Sequence, residues 1–253
     1  MHQTVNYSYN VLTPNAEMSG NLSKCNNTAN FIVLGANMPY HPDVIEQHGQ
    51  VLTPRLMLQL VDCAHADELA PLLPAASEQM LGSWPYPLTP SAALERIERA
   101  IAQTNRRDAL AYVFSDRSTG RIAGWCSAVR WHEASDDIAM LTYWIGREFE
   151  GKGLVAEAVR AAGPHVLAWI GTSRLGAGAY PHNERSRKTM QRAGLTTPDG
   201  VRQLWSSTRG RDEPIICFVA SHAQVSAWPD ISCSASYTVG SEPADSTTGA
   251  RAA

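Results

Sequence analysis

The stretch Ile138-Ala139-Met140-Leu141-Thr142-Tyr143-Trp144-Ile145-Gly146-Arg147-Glu148-Phe149-Glu150-Gly151-Lys152-Gly153-Leu154-Val155-Ala156-Glu157-Ala158 decides how this chain is read. Ile138 to Ile145 is rich in Ile, Thr, Tyr and Trp, side chains that suit a pleated surface, and it reads as a strand. From Leu154 the apolar residues Val155, Ala158, Val159, Ala162 and Val166 recur at helical spacing, so a helix runs to Ile170. Gly163-Pro164 lies inside it, and a proline there should kink it. Gly151 and Gly153 therefore sit on a strand-to-helix turn. The first amides of a helix have no intrahelical acceptor, and its dipole places positive potential beside them. Glycines let an anion approach that backbone, and Lys152 adds a cation. The turn reads as a diphosphate cradle, with an ordinary connection as the plain alternative. It is not a P-loop, which needs GxxxxGK before Ser or Thr. Ala156 breaks the GxGxxG dinucleotide fingerprint.

Outward from the turn, the elements alternate. Arg55 to Leu60 reads as a first strand. Asp62 caps a helix to about Leu73, and Ser91 caps another with Leu94, Ile97 and Ile101 on one face. Leu110–Ser115 and Arg121–Trp131 flank a hairpin loop at residues 116–120. Past the long helix come a strand from Arg174 to Tyr180, a helix from Asn183 to Ala193 stopped by Gly194, and a hairpin of Val201–Thr208 with Pro214–Ala220. The fold class is α+β: a mixed, mainly antiparallel sheet with flanking helices. Residues 1–50, Asn-rich and without period, read as a flexible extension in which Phe31–Leu34 is a candidate docking segment. Residues 51–220 form the domain, and the Ser/Thr-rich residues 221–253 read as a disordered tail.

Composition narrows the class. The chain has 253 residues, a formal net charge of -3 and 44% hydrophobic residues, which gives a globular core and no field that attracts nucleic acid. The densest basic patch is Arg185, Arg187, Lys188 and Arg192, readable as a solvated helix face or as a phosphate contact. Five cysteines without a CxxC pair suggest neither a metal site nor a disulfide framework, and fit a cytoplasmic setting. Neither a membrane-spanning run nor a signal peptide is expected.

Taken together, Tyr143–Gly146, Gly151–Ala158, Pro181-His182-Asn183-Glu184-Arg185-Ser186 and Arg192–Leu195 resemble the GNAT superfamily of N-acetyltransferases. Thr53–Leu56 and Trp84–Pro90 are similar to its Rim-type ribosomal-protein alanine N-acetyltransferase branch. The resemblance implies a three-layer α/β/α sandwich and acetyl-CoA as cosubstrate. It implies that amides of Gly151, Lys152, Gly153, Leu154 and Val155 hold the diphosphate, and that the strand through Trp144 and Ile145 runs beside the pantetheine arm. Asn183 falls where the family has a cofactor-contacting Asn; helix N-capping is its other role. Ser186 matches a serine used as the acid toward the departing thiolate, while a first-turn serine also bonds to backbone. Met190 stands where other members have a tyrosine. Glu148 replaces the usual Gln or Arg, and with Glu150 it puts carboxylates near a diphosphate, which is unfavourable unless they turn away.

Acetyl transfer to an amine needs a base within hydrogen-bond reach, directly or through water. His132 and Glu133 are the candidates, with Asp136 and Asp137 beside them; a charged surface loop is the bland alternative. Trp84, Trp125 and Trp131 line an acceptor pocket or, for Trp125 above all, fill the core. The expected acceptor is a primary amine, with a protein N-terminus as one candidate. A small amine or antibiotic is the rival, as is a domain that binds acyl-CoA without catalysis. The expected assembly is a monomer or homodimer.

Overall fold

The computed structural model describes residues 40–73, 84–85, 87–131, 137–206 and 209–231. Among these described residues, eight strands form one sheet: β1 (Gln50–Leu52), β2 (Leu56–Leu60), β3 (Ala109–Asp116), β4 (Ile122–Arg130), β5 (Ile138–Ile145), β6 (Arg174–Ala179), β7 (Thr197–Ser206) and β8 (Arg211–Ser221), in spatial order β1-β2-β3-β4-β5-β6-β8-β7. Every pairing is antiparallel except β5 with β6. The helices are α1 (Pro42–His48), α2 (Ala66–Leu69), α3 (Pro90–Asn105), α4 (Leu154–Ile170), α5 (Glu184–Ala193) and α6 (His222–Ser226). The mixed, mainly antiparallel sheet with helices on both faces is the expected architecture.

Strand alternation sorts the core into layers. On β3, Leu110, Tyr112 and Phe114 pack toward α4, and Ala111 and Val113 toward α3. A third cluster gathers Ile138, Met140, Tyr180, Ile215, Cys217 and Val219 over β5, β6 and β8. Trp84, Trp125 and Trp144 meet edge to face on the α3 side, at 5.1 and 5.3 Å between ring centroids. Trp84 and Trp125 are fully buried, so both belong to the core rather than to an acceptor pocket.

Several local expectations shift for identifiable reasons. No single helix follows Asp62. A 3-10 turn (Cys63–His65), short α2 and a second 3-10 turn (Ala70–Leu72) follow one another, and Pro71 denies a continuous helix the amide it needs there. The cap of α3 is Thr89 rather than Ser91: its side chain accepts from the Ala92 amide, with Pro90 at the first helical position. α4 runs through Gly163 and Pro164 without a break.

The domain also reaches beyond residues 51–220. α1 lies within the segment read as an extension, β8 runs to Ser221, and α6 carries ordered structure on to Ser226. Trp228 seats its ring so close to Gly163 and Gly194 that a Cβ at either would meet it at 2.7 or 2.4 Å. A helix interior normally disfavours glycine, and this contact accounts for Gly163. Phe31–Leu34 lies outside the described residues.

α1 is held down by a histidine pair. His48 Nδ1 and His165 Nδ1 of α4 are 2.9 Å apart. The Trp169 ring meets His48 edge-on, Arg107 stacks on Trp169, and the Tyr112 hydroxyl donates to the His48 carbonyl. Burial, then the His165 and Arg107 charges, push His48 from 6.5 to about 4. Burial also lowers His165, against a raising backbone hydrogen bond at Gln47. The unfolded chain therefore takes up protons between pH 6.5 and about 4 that the folded chain refuses. This stability is complete above 6.5 and drains away as pH falls toward 4. Thermal melts should show Tm dropping across that window, and dropping less in a His48→Leu/His165→Leu double variant. Parallel pH profiles for the two proteins would dismiss the pair as the cause.

Candidate active site

The site grows from one geometric fact. β5 and β6 pair over only four residues each, Ile138–Leu141 against Arg174–Ala177. Beyond Leu141 the two strands part, while β5 stays paired to β4 as far as Ile145. Thr142–Ile145 thus present a strand edge inside the sheet, where backbone donors and acceptors await partners.

The turn from β5 to α4 closes the same opening. Arg147–Phe149 form a 3-10 turn, Gly151 and Gly153 take positive φ of 77° and 76°, and α4 begins at Leu154. Such φ values suit glycine and cost other residues about 1–2 kcal/mol. Among the described residues, no protein group accepts from the amides of Gly151 through Ala156; the next amide, Glu157, donates to the Gly153 carbonyl.

A carboxylate inside α4 fixes this turn. Glu157 Oε1 accepts from Thr53 Oγ1 at 2.6 Å and from the Arg55 amide at 3.1 Å. Glu157 Oε2 receives the Arg55 guanidinium at 2.5–2.6 Å. Arg55 Nη1 in turn donates to the Lys152 carbonyl at 2.8 Å. In a planar trans peptide the carbonyl and the next N–H point in opposite directions. Arg55 therefore turns the Gly153 amide away from β2. The sequence offered Thr53-Pro54-Arg55-Leu56 only as a motif and gave no sign of this latch, whose members lie about a hundred residues apart in the chain.

Both acidic residues of the turn are paired with arginines. Glu148 forms a two-pronged ion pair with Arg121 at 2.6 and 2.7 Å, and Glu150 meets Arg185 of α5 at 2.7 Å. Arg185, from the basic cluster, so ties the turn to the start of α5. Lys152 leans over the Phe149 ring. With Pro54, Arg55, Asp116, Arg117, Ser118 and Leu154 it lines a surface pocket of about 230 Å³ beside the β3–β4 turn.

α5 delivers the remaining groups. Asn183 caps it, its Oδ1 accepting from the Ser186 amide at 3.0 Å, so the carbonyl end of the side chain is committed to the helix. Ser186 Oγ bonds to the Tyr143 hydroxyl at 2.9 Å, not to backbone. The phenol also leans toward the Ser186 carbonyl at 3.4 Å. Burial raises the Tyr143 pKa above its usual 10, and the Ser186 hydrogen bond works the other way. Tyr143 thus stays protonated.

Two contacts relate the predicted segments: Tyr143 of β5 meets Ser186, and Glu150, beside Gly151, meets Arg185, so both β5 and the glycine turn touch the start of α5. The Trp144 side chain is buried toward α3, leaving only its backbone on the opening. Asp137 sits at the opposite end of β5, bound to Ser173 and near Arg130. His132, Glu133 and Asp136 lie outside the described residues. Among the described residues no group of three or more His, Cys, Asp or Glu could hold a metal, and no helix is long and apolar enough to cross a membrane.

The geometry has parallels in known proteins. No curated protein sequence matches the chain. Its fold is similar to that of the microcin C7 self-immunity acetyltransferase MccE, solved with acetyl-CoA and AMP: 22% identity, 66% of this chain and 93% of that one, TM-score 0.55. It is also similar to the ribosomal-protein-S5-alanine acetyltransferase of Vibrio fischeri, at 18% identity over 68% and 96% of the two chains, TM-score 0.58. RimL, a ribosomal α-N-protein acetyltransferase solved with coenzyme A, gives 19% identity over 68% and 97%, TM-score 0.58. Residues 55–196, more than half of the chain, match the family model of the acetyltransferase (GNAT) domain. The parted strands, the glycine turn and that match lead to one conclusion: the chain belongs to the GNAT family of acetyl-CoA-dependent acetyltransferases.

Proposed function

We propose that the protein is an N-acetyltransferase that moves an acetyl group from acetyl-CoA to a primary amine, with a protein N-terminus as the acceptor. The run of unpaired amides from Gly151 to Ala156, beside the parted edge of β5, carries this reading. The groups fit the cofactor piece by piece. A diphosphate suits the amides of Gly151, Lys152, Gly153, Leu154 and Val155 at the positive end of α4. The backbone of Trp144 and Ile145 suits the amides of a pantetheine arm. Asn183 has its NH₂ end left to donate once Oδ1 serves the cap. The carboxylates that would oppose an anion are already neutralised by Arg121 and Arg185.

Bound acetyl-CoA supplies the thioester. The chain's own part is to take a proton from the amine and to stabilise the sulfur as it leaves. In the balance, a C–N bond forms, the C–S bond breaks, its electron pair stays on sulfur, and the proton lost by nitrogen ends on sulfur. Ser186 serves the sulfur side, and His132 or Glu133 is the base toward the amine. The N-terminal acceptor rests on the likeness of the motifs to the Rim branch, and two of the structural relatives described above carry ribosomal-protein names.

Calorimetry with acetyl-CoA, followed by thiol release over N-terminal peptides and small amines, tests the proposal. Heat of binding with turnover on peptides is the expected result. Turnover on small amines alone would move the acceptor class, binding without turnover would leave a non-catalytic binder, and no heat at millimolar acetyl-CoA would end the cofactor reading. Arg55→Ala frees the Lys152–Gly153 peptide to rotate and should weaken acetyl-CoA about tenfold, equivalent to ~1.4 kcal/mol. Unchanged affinity would show that the latch does not set the cradle.

A further inference from the structure

The geometry points to Tyr143 as a positioning residue that holds the Ser186 hydroxyl proton toward the sulfur of the cosubstrate. The inference rests on the acetyl-CoA reading above. Ser186 is the third residue of α5, and its amide is taken by the Asn183 cap. Its hydroxyl has one hydrogen and two lone pairs and is free to rotate. A helical serine commonly spends that hydrogen on backbone within its own helix, which would remove it from chemistry. Here its partner is instead a phenol from another element, 43 residues away in the chain.

The phenol sits where this matters. Tyr143 is in Thr142–Ile145, the part of β5 that has lost β6 as a neighbour, so the pair stands on the wall of the opening. Two hydrogen arrangements are possible. In one, Ser186 donates to Tyr143, and the phenol's own hydrogen is left with the Ser186 carbonyl at 3.4 Å, beyond a normal O–H···O distance. In the other, Tyr143 donates to Ser186 Oγ at 2.9 Å, and the serine hydrogen turns outward. The phenol is the more acidic of the two hydroxyls and the serine oxygen the better acceptor, so the second arrangement makes the stronger use of the 2.9 Å contact and leaves a serine O–H for the opening. A phenol that keeps its proton maintains this arrangement at every working pH. Polarisation along the pair also strengthens the outer donor.

A donor aimed at sulfur has a signature that packing alone does not. It favours thiolate over thiol, so it lowers the pKa of bound CoA below a free thiol's value of about 8.5. For a drop of one pKa unit, CoA should then bind about sixfold tighter at pH 9 than at pH 7. Desulfo-CoA, which has no thiol, should show no such change. Tyr143→Phe keeps the ring and removes the hydroxyl. It should flatten the CoA profile, lower kcat about tenfold and leave the KM for acetyl-CoA within about twofold, the scale of one lost hydrogen bond. Ser186→Ala should do the same, and the double variant should be no worse than either single one. A full CoA pH profile in Tyr143→Phe, or losses that multiply in the double variant, would overturn the assignment while leaving the acetyl-CoA reading intact. Failure of the wild-type protein to bind CoA at all would overturn both.

Discussion

The parting of β5 from β6 after Leu141 and Ala177 is the constraint on which the site depends. A sheet interior normally satisfies every backbone group, and an unpaired edge is a liability that proteins cover or charge. Here the edge is opened in the middle of the sheet and kept from closing. α5 follows β6 through residues 180–183 and places Ser186 against Tyr143, so the far wall of the opening is a helix terminus and not a strand. β8 and β7 continue the sheet beyond β6, so the split costs the fold one stretch of ladder and not its continuity. The chain thereby keeps free backbone donors within a rigid scaffold, which is what recognition of an amide-bearing, anionic ligand requires.

Electrostatics at the turn follow a second economy. Glu148, Glu150 and Glu157 would make a poor anion site if left bare. Each is matched by an arginine from a different element: Arg121 beside the β3–β4 turn, Arg185 on α5 and Arg55 ahead of β2. The pairs with Glu148 and Glu150 are exposed, and ion pairs of that kind contribute little to stability. Their consequence is orientation. They occupy the carboxylates and hold the turn to its surroundings. The Glu157 pair is different, since its carboxylate is largely buried and fully engaged by Thr53 and Arg55. Removing one member would strand the others.

The sequence made local order legible where a single period governed it. Ile138–Ile145 and Leu154–Ile170 end where the strand and helix patterns say they should, because β propensity, the glycine turn and the helical apolar spacing agree. The pattern failed where two local rules competed. Pro71 broke the segment after Asp62, and Thr89 took the cap because Pro90 suits the first helical position. It also failed where the deciding contact was distant. Nothing near Glu148 announces Arg121, and nothing near Gly163 announces Trp228 in what looks like a tail. Among candidate site residues, the glycine turn with its unpaired amides was readable because it arises from consecutive positions. The Tyr143–Ser186 and Arg55–Lys152 contacts were not, because they join elements that only the sheet topology brings together.

β5 shows how one strand can serve several purposes through its period of two. Tyr143 faces α5 and reaches Ser186, while Trp144 faces α3 and completes the aromatic cluster with Trp84. Between them the backbone edge is left to the opening. A slip of one residue in the pairing with β4 would exchange the two faces, burying the phenol among the α3-side aromatics and driving an indole toward α5. Seven consecutive partners, from Gly124↔Ile145 to Arg130↔Ala139, oppose that slip, as does the full burial of Trp125 opposite Trp144. The register that packs the tryptophans is therefore the same register that points Tyr143 at Ser186. The α3-side core and the geometry of the opening are specified by one set of hydrogen bonds.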